Sequence, residues 1–169
     1  MVLFPEELKI SRSLGKRLRG AHFELALDRD FEAVIRACAA PRRSGPETWL
    51  HPEMILAYGE LHRLGLAHSV EAWHAGTLVG GLYGLHLGGV FFGESMFSLE
   101  RDASKVALAR LVEECRARDI RLIDCQVASE HLASLGAREI ARSEFAAMLR
   151  RFARRTPRGS WARDVTRAG

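Results

Sequence analysis

The chain has 169 residues, 47% of them hydrophobic and 27% charged, a mix that fills one globular core of ordinary size. Its three cysteines, Cys38, Cys115 and Cys125, form no CxxC pair, which argues against a disulfide framework or a zinc site and for a reducing, cytoplasmic compartment. The net charge of +4 is uneven: seven arginines and one acid, Asp164, lie between Arg150 and Gly169, and Lys9, Arg12, Lys16, Arg17 and Arg19 form a second, acid-free cluster.

Two such clusters suit a polyanion such as RNA, although a solvated face and a frayed tail have the same composition. Apolar stretches are broken by Gly, His or charged residues well short of a membrane span, so no membrane association is expected. The start, Met1-Val2-Leu3-Phe4-Pro5, lacks the basic region and apolar run of a signal peptide.

In chain order, Leu8–Ile10 reads as a short strand, and Ser11 as the cap of a basic helix ending before Gly20. His22–Leu27 alternates like a strand. Asp30 caps a helix through Phe31, Val34, Ile35 and Cys38 that Pro41 halts, and Pro41–Gly45 is loop. Thr48 or Trp49 leads into a helix carrying Met54, Ile55, Tyr58, Leu61 and Leu64, which Gly65 ends.

From His68 to Phe97 the period becomes that of an antiparallel meander of about three strands, with turns at Ala75-Gly76 and Gly88-Gly89. An amphipathic helix follows, burying Val106, Leu108, Ala109, Leu111, Val112 and Cys115. Arg121–Val127 reads as a strand, Ser129–Leu135 as a short helix ended by Gly136, Glu139–Ala141 as a last strand, and Ser143–Phe152 as a helix. The segment from Arg158 onward lacks periodicity.

This order is α/β with a mixed central sheet, compatible with N-acetyltransferase-like (GNAT-like) acyl transferases. Such folds usually grip the pyrophosphate of coenzyme A with a glycine-rich turn at the start of the long helix. Here Ser98–Lys105 has no glycine and two acids, so no cofactor is expected.

Two segments carry candidate chemistry. In Leu122-Ile123-Asp124-Cys125-Gln126-Val127, strand alternation puts Asp124 and Gln126 on one face. A carboxylate and an amide on a core strand must bond each other, a structural network or a ligand. The functional alternative has Asp124 accepting from the Gln126 amide NH₂ and turning the amide oxygen outward. In Phe91–Phe97, Glu94 is a carboxylate among aromatics that requires a cation, either Lys105 or an Arg within the chain or a bound group. There is no HExxH, GxSxG or P-loop. His62 and His68 read as polar core or surface residues, not metal ligands, and Cys125 as packing. Gly80-Gly81 within a strand suggests a bulge or a close approach.

Several long blocks then resemble the bacterial leucyl/phenylalanyl-tRNA–protein transferases. They are Leu61–Trp73, Leu78-Val79-Gly80-Gly81-Leu82-Tyr83-Gly84, Phe92-Gly93-Glu94-Ser95-Met96-Phe97, Ala103-Ser104-Lys105, Leu122-Ile123-Asp124-Cys125-Gln126 and Ala133-Ser134-Leu135-Gly136-Ala137. The resemblance extends to about Arg151. It implies an acetyltransferase-like domain over residues 1–153, followed by a basic tail, 154–169, expected to be disordered.

It also implies transfer of Leu, Phe or, less well, Met from aminoacyl-tRNA to proteins beginning with Arg or Lys, marking them for degradation by the N-end rule. Carried over by position, Asp124, Gln126 and Glu94 are the catalytic residues. Leu82, Met96, Leu108, Leu111 and Ile123 line the aminoacyl pocket, and Trp49 contacts the terminal adenosine of the tRNA. A large aromatic of the family's long helix is replaced by Leu111 or Cys115, which would widen that pocket. Members usually carry a smaller N-terminal module, and the first five residues look like the join just after it. Two other readings are a coenzyme-A-dependent N-acyltransferase and an inactive, truncated RNA- or peptide-binding module.

Overall fold

Positive backbone angles punctuate the chain where the sequence placed its turns, at Gly65, Ala75, Gly76, Gly88 and Gly136. In the computed structural model, which describes residues 1–40, 50–155, 161 and 165–167, they separate a seven-stranded sheet from six helices. The strands are β1 (Val2–Leu3), β2 (Glu24–Leu27), β3 (Ala67–His74), β4 (Thr77–Leu87), β5 (Val90–Ser98), β6 (Leu122–Asp124) and β7 (Val165–Arg167). The helices are α1 (Arg12–Arg19), α2 (Phe31–Ala39), α3 (Pro52–Arg63), α4 (Ala103–Ala117), α5 (Glu130–Ser134) and α6 (Arg142–Phe152).

The strand order is β1-β6-β5-β4-β3-β2-β7, with β5 and β6 parallel and every other pairing antiparallel, so the sheet is mixed as expected. The meander β3–β4–β5 forms its centre. Ala75 and Gly76, at φ 48° and 77°, join β3 to β4 in the left-handed pair that suits a two-residue hairpin.

Local capping follows the sequence. The Ser11 side chain accepts from Leu14 N–H at 3.2 Å to start α1, and Asp30 Oδ1 accepts from Ala33 N–H at 2.9 Å to start α2. Pro52 takes the first turn of α3 after His51, where its missing N–H costs nothing. Pro41–Gly45, Thr48 and Trp49 lie outside the described residues.

The core lies on both faces of the sheet. On one face Val106, Leu108, Leu111, Val112 and Cys115 of α4 pack with Leu82, Phe91 and Ile123, and Ala109 is buried as well. Each large side chain so buried contributes roughly 1.5–3 kcal/mol. On the other face Phe31, Val34, Ile35 and Cys38 of α2 and Tyr58 of α3 meet Tyr83. Beyond them α6 covers Val2, Val90 and Leu122 with Phe145, Met148, Leu149 and Phe152. Leu82 and Tyr83, adjacent on β4, thus serve opposite layers.

Two buried carboxylates are tied down. Glu71, fully buried on β3, accepts from Ser69 Oγ (2.9 Å), Asp30 N–H (2.8 Å) and Trp73 Nε1–H (2.9 Å), which pins the start of α2 to the sheet. Glu114 of α4 is paired with Arg110 and Arg118.

Three expectations change. Leu8–Ile10 is not a strand: Lys9 N–H bonds only the Leu135 carbonyl, and the strand at this end is Val2–Leu3, whose buried side chains reach the core. Glu139–Ala141 forms no strand, with a single bridge, Val2 to Arg138, beside it. The strand expected at Arg121–Val127 stops at Asp124, because Gln126 adopts φ 58° and turns the chain aside. Near the end of the chain Trp161 stacks on His68 with ring centroids 4.4 Å apart, and β7 pairs with β2.

Candidate active site

The one parallel pair in the sheet holds together for three residues and then parts. Val90, Phe91 and Phe92 of β5 pair with Leu122, Ile123 and Asp124 of β6, after which β5 continues to Ser98 while the other chain turns away at Gln126. The three residues singled out in the sequence, Glu94, Asp124 and Gln126, all sit at this parting.

Glu94 owes its direction to a bulge. Tyr83 lies opposite Ser95 and Gly84 opposite Gly93, so Glu94 is the extra residue of β5 with no partner on β4. A bulge interrupts strict alternation and re-aims the side chain. Glu94 reaches the Tyr58 hydroxyl of α3 on one side and accepts from Gln126 Nε2 at 3.4 Å on the other. Gly84 permits the crossing of β4 and β5 here, since a Cβ at that position would stand 2.1 Å from the Phe92 carbonyl oxygen. The cationic partner expected for Glu94 within the chain is not Lys105, which pairs with Asp102 at 3.4 Å.

Asp124 and Gln126 are joined differently from the expectation. Asp124 Oδ1 accepts the backbone N–H of Gln126 at 2.9 Å, not its side-chain amide, since the strand ends at Asp124 and Gln126 turns at φ 58°. This side-chain-to-backbone bond fixes the turn in which Gln126 takes its left-handed conformation. The amide NH₂ is held by Glu94 instead. Among the described residues the Gln126 Oε1 has no hydrogen-bond donor, and Gln126 is exposed. The carboxylate that takes the amide NH₂ is therefore Glu94 rather than the expected Asp124.

Tyr58 escaped the sequence reading, which used it as an apolar position of α3. A phenol at such a position needs a partner for its hydroxyl, and that was the available signal. Burial, and then the Glu94 carboxylate, push its pKa well above the usual phenol value, so it stays a neutral donor. Tyr83 packs edge-on against Tyr58 at 5.2 Å, its buried hydroxyl unpartnered among the described residues. Cys125 is no nucleophile in this setting: burial, followed by the Asp124 charge, pushes its thiol up to about 11.

The apolar residues form one cluster. Leu82, Leu108, Leu111 and Ile123 are 1–3% exposed within the α4-side core, and Met96, opposite Leu82 in register, packs at its edge. Trp49 lies outside the described residues. Elsewhere, at the junction of α1 and α4, a groove of about 510 Å³ is lined by Lys16, Arg17, His22, Arg101 and Asp102.

Polar groups thus gather where the parallel pair of a mixed α/β sheet parts, near a cluster of aliphatic side chains. The chain belongs to the leucyl/phenylalanyl-tRNA protein transferase family, whose sequence model matches residues 2–150. Its relatives include the leucyl/phenylalanyl-tRNA–protein transferase of Nitrosospira multiformis, 54% identical over 97% of this chain and 71% of that protein. The enzymes of the same name from Pseudomonas aeruginosa and Azotobacter vinelandii are 56% and 59% identical, over 94% and 85% of this chain and 70% and 64% of theirs. Among solved structures, L-PGS from Bacillus licheniformis superimposes with a TM-score of 0.47 at 12% identity, over 85% of this chain and 54% of that one.

Proposed function

We propose that this chain moves Leu or Phe, and less well Met, from aminoacyl-tRNA to the amino terminus of proteins beginning with Arg or Lys, in the cytoplasm, marking them for degradation. The observation that carries this reading is the exposed Gln126, its amide NH₂ directed at Glu94 and its backbone N–H held by Asp124, with no donor on its Oε1 among the described residues.

An aminoacyl ester is already activated, and an α-amine with a pKa of about 7.7–8.0 is partly neutral near pH 7. The amine nitrogen attacks the ester carbonyl carbon, the bond to the ribose oxygen breaks, and that oxygen gains a proton as the amine loses one. Gln126 cannot remove the proton, since an amide is not basic at neutral pH. Its Oε1 instead accepts an amine N–H and aims the lone pair, an orientation effect of the kind that supplies much of such an acceleration.

Glu94 supplies the negative charge that suits a cationic acceptor, and the Tyr58 hydroxyl steadies it. We assign the aminoacyl side chain to the edge of the aliphatic cluster at Met96, behind which Leu82, Leu108, Leu111 and Ile123 are packed. An aliphatic wall excludes charged side chains but separates neighbours by only about 1–3 kcal/mol per methylene, which suits a Leu/Phe/Met range. The fold reading that goes with this mechanism is an N-acetyltransferase-like domain without coenzyme A. The Asp102 carboxylate at the start of α4 and the Ser104 N–H, bonded to Ser98 Oγ at 3.2 Å, leave poor terms there for a pyrophosphate. We further assign the tRNA backbone to the groove beside Lys16, Arg17 and Arg101, and its terminal adenosine to Trp49.

The test incubates the chain with radiolabelled leucyl-tRNA and two acceptors differing only in an N-terminal Arg or Met. Label in the Arg acceptor alone is expected. Label in neither acceptor, at enzyme concentrations where the Pseudomonas aeruginosa relative labels the first, rejects the reading.

A further inference from the structure

We propose that His22, His74 and Glu100 form a binding site for a divalent transition-metal ion, zinc foremost, away from the aminoacyl-transfer site. The three come from separate segments: His22 from the turn between α1 and β2, His74 from the end of β3, and Glu100 from the loop between β5 and α4. His74 Nδ1 is 2.7 Å from Glu100 Oε1, and His22 Nε2 is 3.1 Å from Glu100 Oε2. One donor atom from each residue falls within 4.8 Å of the other two.

Zinc holds His nitrogen and carboxylate oxygen at about 2.0–2.2 Å, which sets tetrahedral donors roughly 3.3 Å apart. The observed spacings need small side-chain adjustments to meet that figure. Two imidazoles and one carboxylate are a borderline-soft donor set that favours zinc or its late first-row neighbours over magnesium or calcium. The three side chains are 33–40% exposed, leaving an open side for a water as fourth ligand. An ion here would fasten the start of β2, the end of β3 and the approach to α4 beside the basic groove.

The other convergence of such residues, Asp28, His62 and His68, is already spent on the protein itself. His68 bonds Asp28 Oδ2 through Nδ1 (2.7 Å) and the Gly65 carbonyl through Nε2 (3.0 Å), while His62 Nδ1 bonds the Ala67 carbonyl (2.8 Å). By contrast, the outer nitrogens of His22 and His74 have no partner among the described residues. Lack of that outer-shell support typically weakens metal binding by about 10–100-fold, so a modest affinity is expected.

The experiment titrates the metal-stripped chain with Zn²⁺ alone by calorimetry, and follows Tm with and without the ion. One ion per chain, a rise in Tm, and at least about tenfold weaker binding in His22→Ala, His74→Ala and Glu100→Gln are expected. His74→Cys, which keeps a metal donor, should retain binding, whereas a role confined to hydrogen bonding would not predict that rescue. Absence of zinc binding by the parent chain, or undiminished binding by the His22→Ala/His74→Ala double variant with its circular dichroism intact, overturns the proposal. No tRNA or acceptor enters the assay, so its result is independent of the transferase reading.

Discussion

Asp124 spends a carboxylate oxygen on a single main-chain N–H, and that bond decides where the neighbouring amide points. If this is its role in catalysis, Asp124→Asn, which keeps an acceptor oxygen, should retain most activity. Asp124→Ala should lower kcat for transfer by at least about tenfold, equivalent to ~1.4 kcal/mol of transition-state stabilisation, with tRNA affinity unchanged. Equal losses in the two variants would show that the charge matters rather than the turn, and a parallel fall in affinity would contradict an orienting role. The residue types at this place were readable from the sequence, because a carboxylate and an amide at a strand end demand explanation. Their manner of contact was not. Alternation assumes extended backbone, and the left-handed Gln126 breaks that assumption at the residue that matters.

At the scale of elements, the meander, α1, α2 and α4 follow from periodicity and caps, and those were legible. The bulge that aims Glu94 was not, since nothing in Phe91–Phe97 distinguishes the residue that β4 skips. Gly80 was the better signal. A Cβ there would lie 2.5 Å from the Ala103 Cβ, so the absent side chain is what lets the first turn of α4 rest on β4. Gly80→Ala should therefore cost about 1–3 kcal/mol, the usual range for overpacking a filled interior. Denaturant unfolding of Gly80→Ala, and of Gly80→Ala/Ala103→Gly, checks this: the second change should recover part of the loss. Full stability in the single variant would mean that α4 shifts away at little cost.

At the scale of the whole molecule, the sheet's later strands are fastened by contacts that no local pattern announces. His86 of β4 donates from Nε2 to the Gly88 carbonyl (2.9 Å) and accepts at Nδ1 from Trp161 Nε1–H (2.8 Å), while Trp161 also stacks on His68. Trp161 lies 75 residues from His86, so only the folded chain brings the two together. Burial lowers the His86 pKa to about 4, against about 6.5 in an unfolded chain. The unfolded state thus binds the proton more readily. The stability contributed by neutral His86 is complete above pH 6.5 and is lost as pH falls toward 4, by an amount on the order of 3 kcal/mol. Tm measured from pH 7 to 4.5 should fall more steeply for the parent chain than for His86→Gln; parallel curves would show that His86 is not the group responsible. His22, His74 and Glu100 belong to the same scale, converging only once β2, β3 and the approach to α4 are in place.

Single-turnover transfer of leucine, with leucyl-tRNA saturating and the acceptor limiting, compares the parent chain with Gln126→Ala most directly. An amide oxygen that aligns the attacking amine predicts a loss of roughly 100-fold or more in rate, within the range typical of a positioned catalytic group, with leucyl-tRNA bound equally well. An unchanged rate in Gln126→Ala would contradict the account.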